Sequence, residues 1–174
     1  MITLKGSRIV DQWSTVLEQC QGQAEGMLQA IEGNLQKHNA PGLSGSRESV
    51  APGWLKGFFG KRRDFLLVTH ERFKDYLMAI SARDYGADLQ VSWYLTGTKR
   101  SALVRTLARI PYAGLPAGVF LLAKALDVFD QQDLSAWVTV GHESVLRAVE
   151  ELMHQRNLDL TRLERRSRSG FAVA

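Results

Sequence analysis

An α+β fold is predicted by three features of the sequence. A helical seam fills the N-terminal segment, three β-rich stretches joined by short turns follow a polar linker, and helical periodicity returns toward the C-terminus. Together they predict a three-stranded or slightly larger antiparallel meander packed by an N-terminal helix and about three C-terminal helices. The chain has 174 residues and 45% hydrophobic content, which suits one globular domain and excludes a disordered or fibrous chain. Its divisions are an amphipathic helix over 1–38, a linker or loop over 39–53, a meander over 54–98, a helical layer over 99–158 and a basic tail over 159–174.

The first helix is read from Ser7 to His38, where Val10, Trp13, Leu17, Cys20, Ala24, Met27 and Ile31 recur at spacings of three and four. Gly22, Gly26 and Gly33 weaken it by up to ~1 kcal/mol each, so it requires tertiary contacts. Gly22 and Gly26 also form a small-residue face that admits another backbone. Cys20 lies on the seam with no base or cation at helical spacing, as a core residue does. Residues 39–53 concentrate Pro, Gly and Ser and read as loop.

The meander rests on Phe65 to His70, Tyr76 to Arg83 and Leu89 to Thr96, which alternate or are rich in β-formers. Glu71 to Asp75 and Asp84 to Asp88 connect them, and Gly86 supplies positive φ in the second turn. Leu89, Val91, Trp93 and Leu95 share one face that a helix must cover. Helices are read over Lys99 to Ile110, from Pro116 to about Phe129, and from an Asp133 cap through Leu134, Trp137, Val138, Val145, Val149, Leu152 and Met153.

Several chemical motifs fail on spacing. The uncharged run from Ile110 to Ala123 is shorter than the ~20 apolar residues of a spanning helix and contains two prolines, so no transmembrane segment is predicted. Glu151 and His154 share a helical face, but no second Glu-x-x-His accompanies them, and His70-Glu71 and His142-Glu143 lack the second His of a zinc site. Gly60-Lys61 has Leu55 where a phosphate loop needs its first Gly and Arg62 where it needs Ser or Thr. Gly42 to Ser46 misses the nucleophile-elbow pattern. The sequence therefore implies no cofactor, no metal and no catalytic set. One Cys and an N-terminus without an apolar run predict a cytoplasmic protein.

The net charge of +4 is unevenly spread, at zero over residues 1–60, +5 over 61–109, −4 over 110–160 and +3 over 161–174. Two patches deserve a functional reading. Trp54, Phe58, Phe59, Lys61, Arg62 and Arg63 combine rings and cations without an acid, the mixture that meets nucleobases or lipid headgroups and their phosphates. Lys99, Arg100 and the tail residues Arg162, Arg165, Arg166 and Arg168 would assist them. Asp75, Arg83, Asp84 and Tyr85 gather polar groups around the turns of the meander, as acid-base chemistry on a small polar substrate requires.

The leading expectation is a noncatalytic module that binds a protein partner or a second copy of itself through a sheet edge or helical face. The alternative is an anionic-surface binder of nucleic acid or membrane through residues 54–63 and the basic tail. A third reading is an enzyme acting near Arg83 and Asp84.

Overall fold

The computed structural model of the protein describes residues 8–50, 63–97 and 128–168. Strands β1 (Arg8–Leu17), β2 (Leu43–Val50), β3 (Arg63–His70), β4 (Tyr76–Tyr85) and β5 (Asp88–Gly97) form one antiparallel sheet in the spatial order β1-β5-β4-β3-β2. Helix α1 (Ala24–His38) joins the two edge strands. Helix α2 (Val128–Gln155) follows, and a 3-10 turn at Leu160–Arg162 leads into an extended segment ending at Arg168. The α+β class and the central meander are as predicted, with two more strands flanking it.

Those two strands correct the reading of the N-terminal third. The segment read as the first half of a helix is β1. Trp13 and Leu17 satisfy helical and strand spacing alike, but Ile9, Val10, Thr15 and Val16 are β-branched and favour the extended chain. Trp13 and Leu17 then point to the core from a strand paired with β5, Trp13 opposite Trp93. The helix begins only at Ala24. Gly22 lies in the turn before it, and Gln19 N–H donates to the Asp88 carboxylate at 3.1 Å, tying that turn to the β4–β5 hairpin.

The second correction is β2, read as linker. Its sequence, Leu-Ser-Gly-Ser-Arg-Glu-Ser-Val, carries no apolar alternation because an edge strand beside β3 buries little side chain. Helix α1 ends as its composition demands, with Asn39 in the left-handed conformation and its N–H bonded to Gln36 C=O, followed by Pro41.

One sheet face carries both helices. Leu66, Val68, Met78, Ile80, Leu89, Val91, Trp93 and Leu95 are fully buried there against Met27, Leu28, Ile31 and Leu35 of α1 and Leu134, Val138, Val145, Leu146 and Val149 of α2. Each such side chain stabilises the fold by about 1.5–3 kcal/mol relative to exposure. At Gly141 a Cβ would come within 2.5 Å of the Met78 sulfur, so the missing side chain lets α2 approach β4 closely. On the opposite face Phe65, Leu67, Leu77 and Ala79 form a second buried cluster.

The β4–β5 hairpin is tighter than read, since Tyr85 pairs with Asp88 and only Gly86, at φ +67°, and Ala87 turn the chain. Asp133 does not cap a helix. It lies inside α2, which is already helical at Val128, and its carboxylate takes the Arg72 guanidinium at 2.5 Å while Asp130 takes the other branch at 2.5 Å. The helix read over 99–110 and the one read over 116–129, up to residue 127, fall outside the described residues, and the last two residues of the latter open α2. No helix among the described residues is long and apolar enough to cross a membrane.

Gly26 and Gly33 both sit in α1 with no atom within 4 Å of where a Cβ would stand, so neither is a close approach within this fold. Replacing either by Ala should stabilise the protein by up to ~1 kcal/mol, read as a higher urea midpoint with an unchanged slope. Deleting residues 1–38 strips Trp13, Leu17, Cys20 and the α1 side chains from the core and should abolish cooperative thermal unfolding, as calorimetry would register.

Candidate functional site

The two edges of the sheet differ, and the difference locates the site. In an antiparallel ladder alternate residues turn their backbone groups toward and away from the neighbour. Glu71 N–H donates to Gly42 C=O at 2.9 Å, one step outside the pair Leu43↔His70. That bond makes Leu43↔His70 a non-hydrogen-bonded pair. Ser44, Ser46 and Glu48 therefore turn their amides toward β3, and Gly45, Arg47 and Ser49 turn theirs outward. Among the described residues no strand pairs with that outer side. Ser44, Gly45, Ser46, Arg47 and Ser49 are all exposed.

Side chains divide by the same alternation. Ser44 lies on the face away from the helices, where its hydroxyl meets that of Thr69 at 2.8 Å. Leu43, Gly45 and Arg47 lie on the helix face. There Arg47 bonds Glu25 of α1 and, at 3.1 Å, Glu32 two helical turns further on. The Arg47 hydrogen bond, with a second from Gln29, holds the Glu25 carboxyl below its ordinary pKa. Beside Arg47 a groove of about 380 Å³ runs between α1 and β2, floored by Leu35 and Leu66 and rimmed by Glu32, Gln36, Leu43 and Gly45. Gly45 leaves this groove open toward the strand edge.

The first half of the β1 edge is covered as far as Gln12, whereas Ser14 and Val16 further along are exposed. The segment from Leu163 to Arg168 lies along it as a strap: Arg168 N–H donates to Gln12 C=O at 2.9 Å, Ser167 Oγ to Asp11 Oδ2 at 2.6 Å, and Trp13 Nε1 to Glu164 C=O at 2.6 Å. Arg165 pairs with Glu150 of α2 at 2.6 Å. His142, fully buried on α2, completes this cover. Its Nδ1 accepts from Trp93 Nε1 at 3.0 Å, which leaves Nε2 as the donor to Arg165 C=O at 2.7 Å. Burial pushes the His142 pKa down, against smaller opposing effects of the Arg165 carbonyl, Glu143 and Asp11.

Of the residues singled out in the sequence, Trp54, Phe58, Phe59, Lys61 and Arg62 fall outside the described residues, and Arg63 opens β3. The polar group around the turns is dispersed. Arg83 and Tyr85 share a face, with the guanidinium 5.6 Å from the ring centroid and Arg83 Nε bonded to Gln90 at 2.7 Å. Asp84 points to the other face by strand alternation. Asp75 stands before the opposite end of the ten-residue β4, roughly 30 Å away at ~3.3 Å per residue. In the tail, Arg165 belongs to the strap's ion pair and Arg162 lies 3.8 Å from Asp159. Glu151 and His154 are exposed, and the described residues contain no group of three or more His, Cys, Asp or Glu placed to hold a metal. Cys20 is fully buried, and burial raises its thiol pKa.

Sequence reasoning missed the open edge because β2 looks like a loop in composition. The Ser44-x-Ser46-x-Glu48 alternation of polar residues was its one visible signal. Comparison with protein-family models, with curated proteins and with solved structures found no match to the chain.

A neutral His142 makes the strap sensitive to acid. Unfolding releases the imidazole to its ordinary pKa of 6.5, above its folded value. The unfolded chain therefore binds the extra proton first. The stabilisation is complete above pH 6.5 and is lost as pH falls through that value toward the folded pKa, at up to ~1.4 kcal/mol per pH unit. His142→Leu should remove this limb of the pH dependence of urea unfolding. It should also cost about 1–3 kcal/mol at neutral pH, because Trp93 Nε1 and the Arg165 carbonyl lose their partner.

Proposed function

We propose that the protein is a noncatalytic module that binds another polypeptide by strand addition at β2. The observation that carries this reading is the exposed outward backbone of Gly45, Arg47 and Ser49 beside a groove floored by Leu35 and Leu66. An extended chain laid against β2 takes its affinity from main-chain hydrogen bonds and its selectivity from alternate side chains. Here alternate residues of the added strand face the helix side, and the one opposite Gly45 stands over the groove.

Two features of β2 keep the edge accessible. Natural edges are commonly guarded by a charged side chain or a proline. The one cation of β2, Arg47, is drawn onto α1 by Glu25 and Glu32, and the strand contains no proline. Its remaining side chains on this stretch are small or serine-sized, apart from Glu48 on the far face.

Selection of short extended peptides from a displayed library against the full chain tests the reading. Binders should lose about tenfold or more in affinity for Gly45→Pro, which removes an outward N–H and leaves every bond to β3 in place. Binding should change little between 50 and 200 mM salt, in contrast to a phosphate-directed contact. With a monomeric chain, a failure to select any binder would overturn strand addition, as would binders indifferent to Gly45→Pro.

A further inference from the structure

The occupant of the edge follows from the side chains that β2 presents to a copy of itself. We infer that β2 pairs antiparallel with β2 of a second copy of this chain, about a two-fold axis through Ser46 and normal to the sheet. This rests on the strand-addition reading and names its partner. Such an axis sets a residue opposite itself, and the outward amides of β2 restrict it to three central positions, Gly45, Ser46 and Arg47.

An axis at Arg47 places two guanidinium groups directly opposite each other, which is repulsive. An axis at Gly45 sets glycine against glycine and sends Glu48 past the strand to face Gly42. The axis at Ser46 has neither fault. Gly45 stands opposite Arg47 on both sides of the axis, so the bulkiest side chain of the strand meets the position without one. Both backbone bonds of each Gly45–Arg47 pair then form, because both residues point outward.

On the far face Ser44 stands opposite Glu48, a hydroxyl donor beside a carboxylate. On the helix face the aliphatic stem of each Arg47 covers Gly45 of the other copy, while its guanidinium stays on Glu25 and Glu32 of its own α1. Size and hydrogen bonding are thus complementary together in this register and in neither alternative. A foreign strand satisfies the same backbone groups, but nothing in β2 selects its side chains as closely.

Ser46→Cys tests the register, since the native thiol of Cys20 is fully buried and does not compete. Residues at the axis form a non-hydrogen-bonded pair with Cα atoms about 4.5 Å apart, within disulfide range. Mild oxidation should yield a disulfide-linked dimer from Ser46→Cys and none from Ser44→Cys, whose copies lie roughly 13 Å apart along the strands at ~3.3 Å per residue. The unmodified chain should sediment as a dimer at micromolar concentration and Gly45→Pro as a monomer.

A monomeric unmodified chain would overturn the pairing. So would a dimer that Ser46→Cys fails to cross-link or one that Ser44→Cys links instead. Peptides that still bind in a Gly45→Pro-sensitive way would in that event leave strand addition standing, whereas their absence would remove both conclusions together.

Discussion

One buried imidazole joins the three layers of the molecule. His142 sits on α2, takes the indole N–H of Trp93 from the centre of the sheet, and gives its own N–H to the backbone of the C-terminal strap. Trp13 stands edge-on to the same ring at 5.7 Å and reaches the strap through Glu164. A neutral ring with both nitrogens bonded is the least costly way to bury a histidine, and a protonated one would present two donors to Trp93 and the strap. The position of the C-terminal segment, and with it the cover over the first half of β1, depends on that tautomer.

Partial cover of β1 by the strap gives the sheet two unequal edges. Strand order places the first and second strands of the chain at opposite edges, with α1 crossing between them over the buried face. The strap bonds β1 at Gln12 and Trp13, and Asp11, almost wholly buried, is matched by Ser167. At β2 the backbone meets no such segment among the described residues. The same unsatisfied groups that make an exposed edge a hazard for aggregation make it a binding surface when the strand is short and polar. Only Leu43 and Val50 of β2 are large apolar residues.

Helix α1 depends on this arrangement as much as it supports it. Its glycines lower its intrinsic stability, and its buried residues Met27, Leu28, Ile31 and Leu35 hold it to the sheet. Asn34, also buried, donates to the Ser144 carbonyl of α2 at 3.3 Å, which fixes the two helices side by side. The Glu25 and Glu32 carboxylates on the outer side of α1 draw Arg47 inward and so shape the groove. A surface ion pair of this kind contributes at most ~1 kcal/mol to stability, so its consequence is chiefly positional.

The sequence by itself determined the α+β class, the three central strands, the Gly86 turn and the apolar stripe of α2, because in each a run of side chains repeats with the period of one element. Trp93 and its neighbours on β5 announced a covered face through strict alternation. Only the tertiary structure decided β1, since Trp13 and Leu17 fit both periods until pairing with β5 selects the strand. It alone decided β2 as well, where a polar edge strand has no hydrophobic period to read and exists through its backbone bonds to β3. The open edge and the strap were invisible for one reason: both consist of main-chain groups whose partners lie far away in the chain, such as Gln12 with Arg168, and no local pattern records which backbone is satisfied.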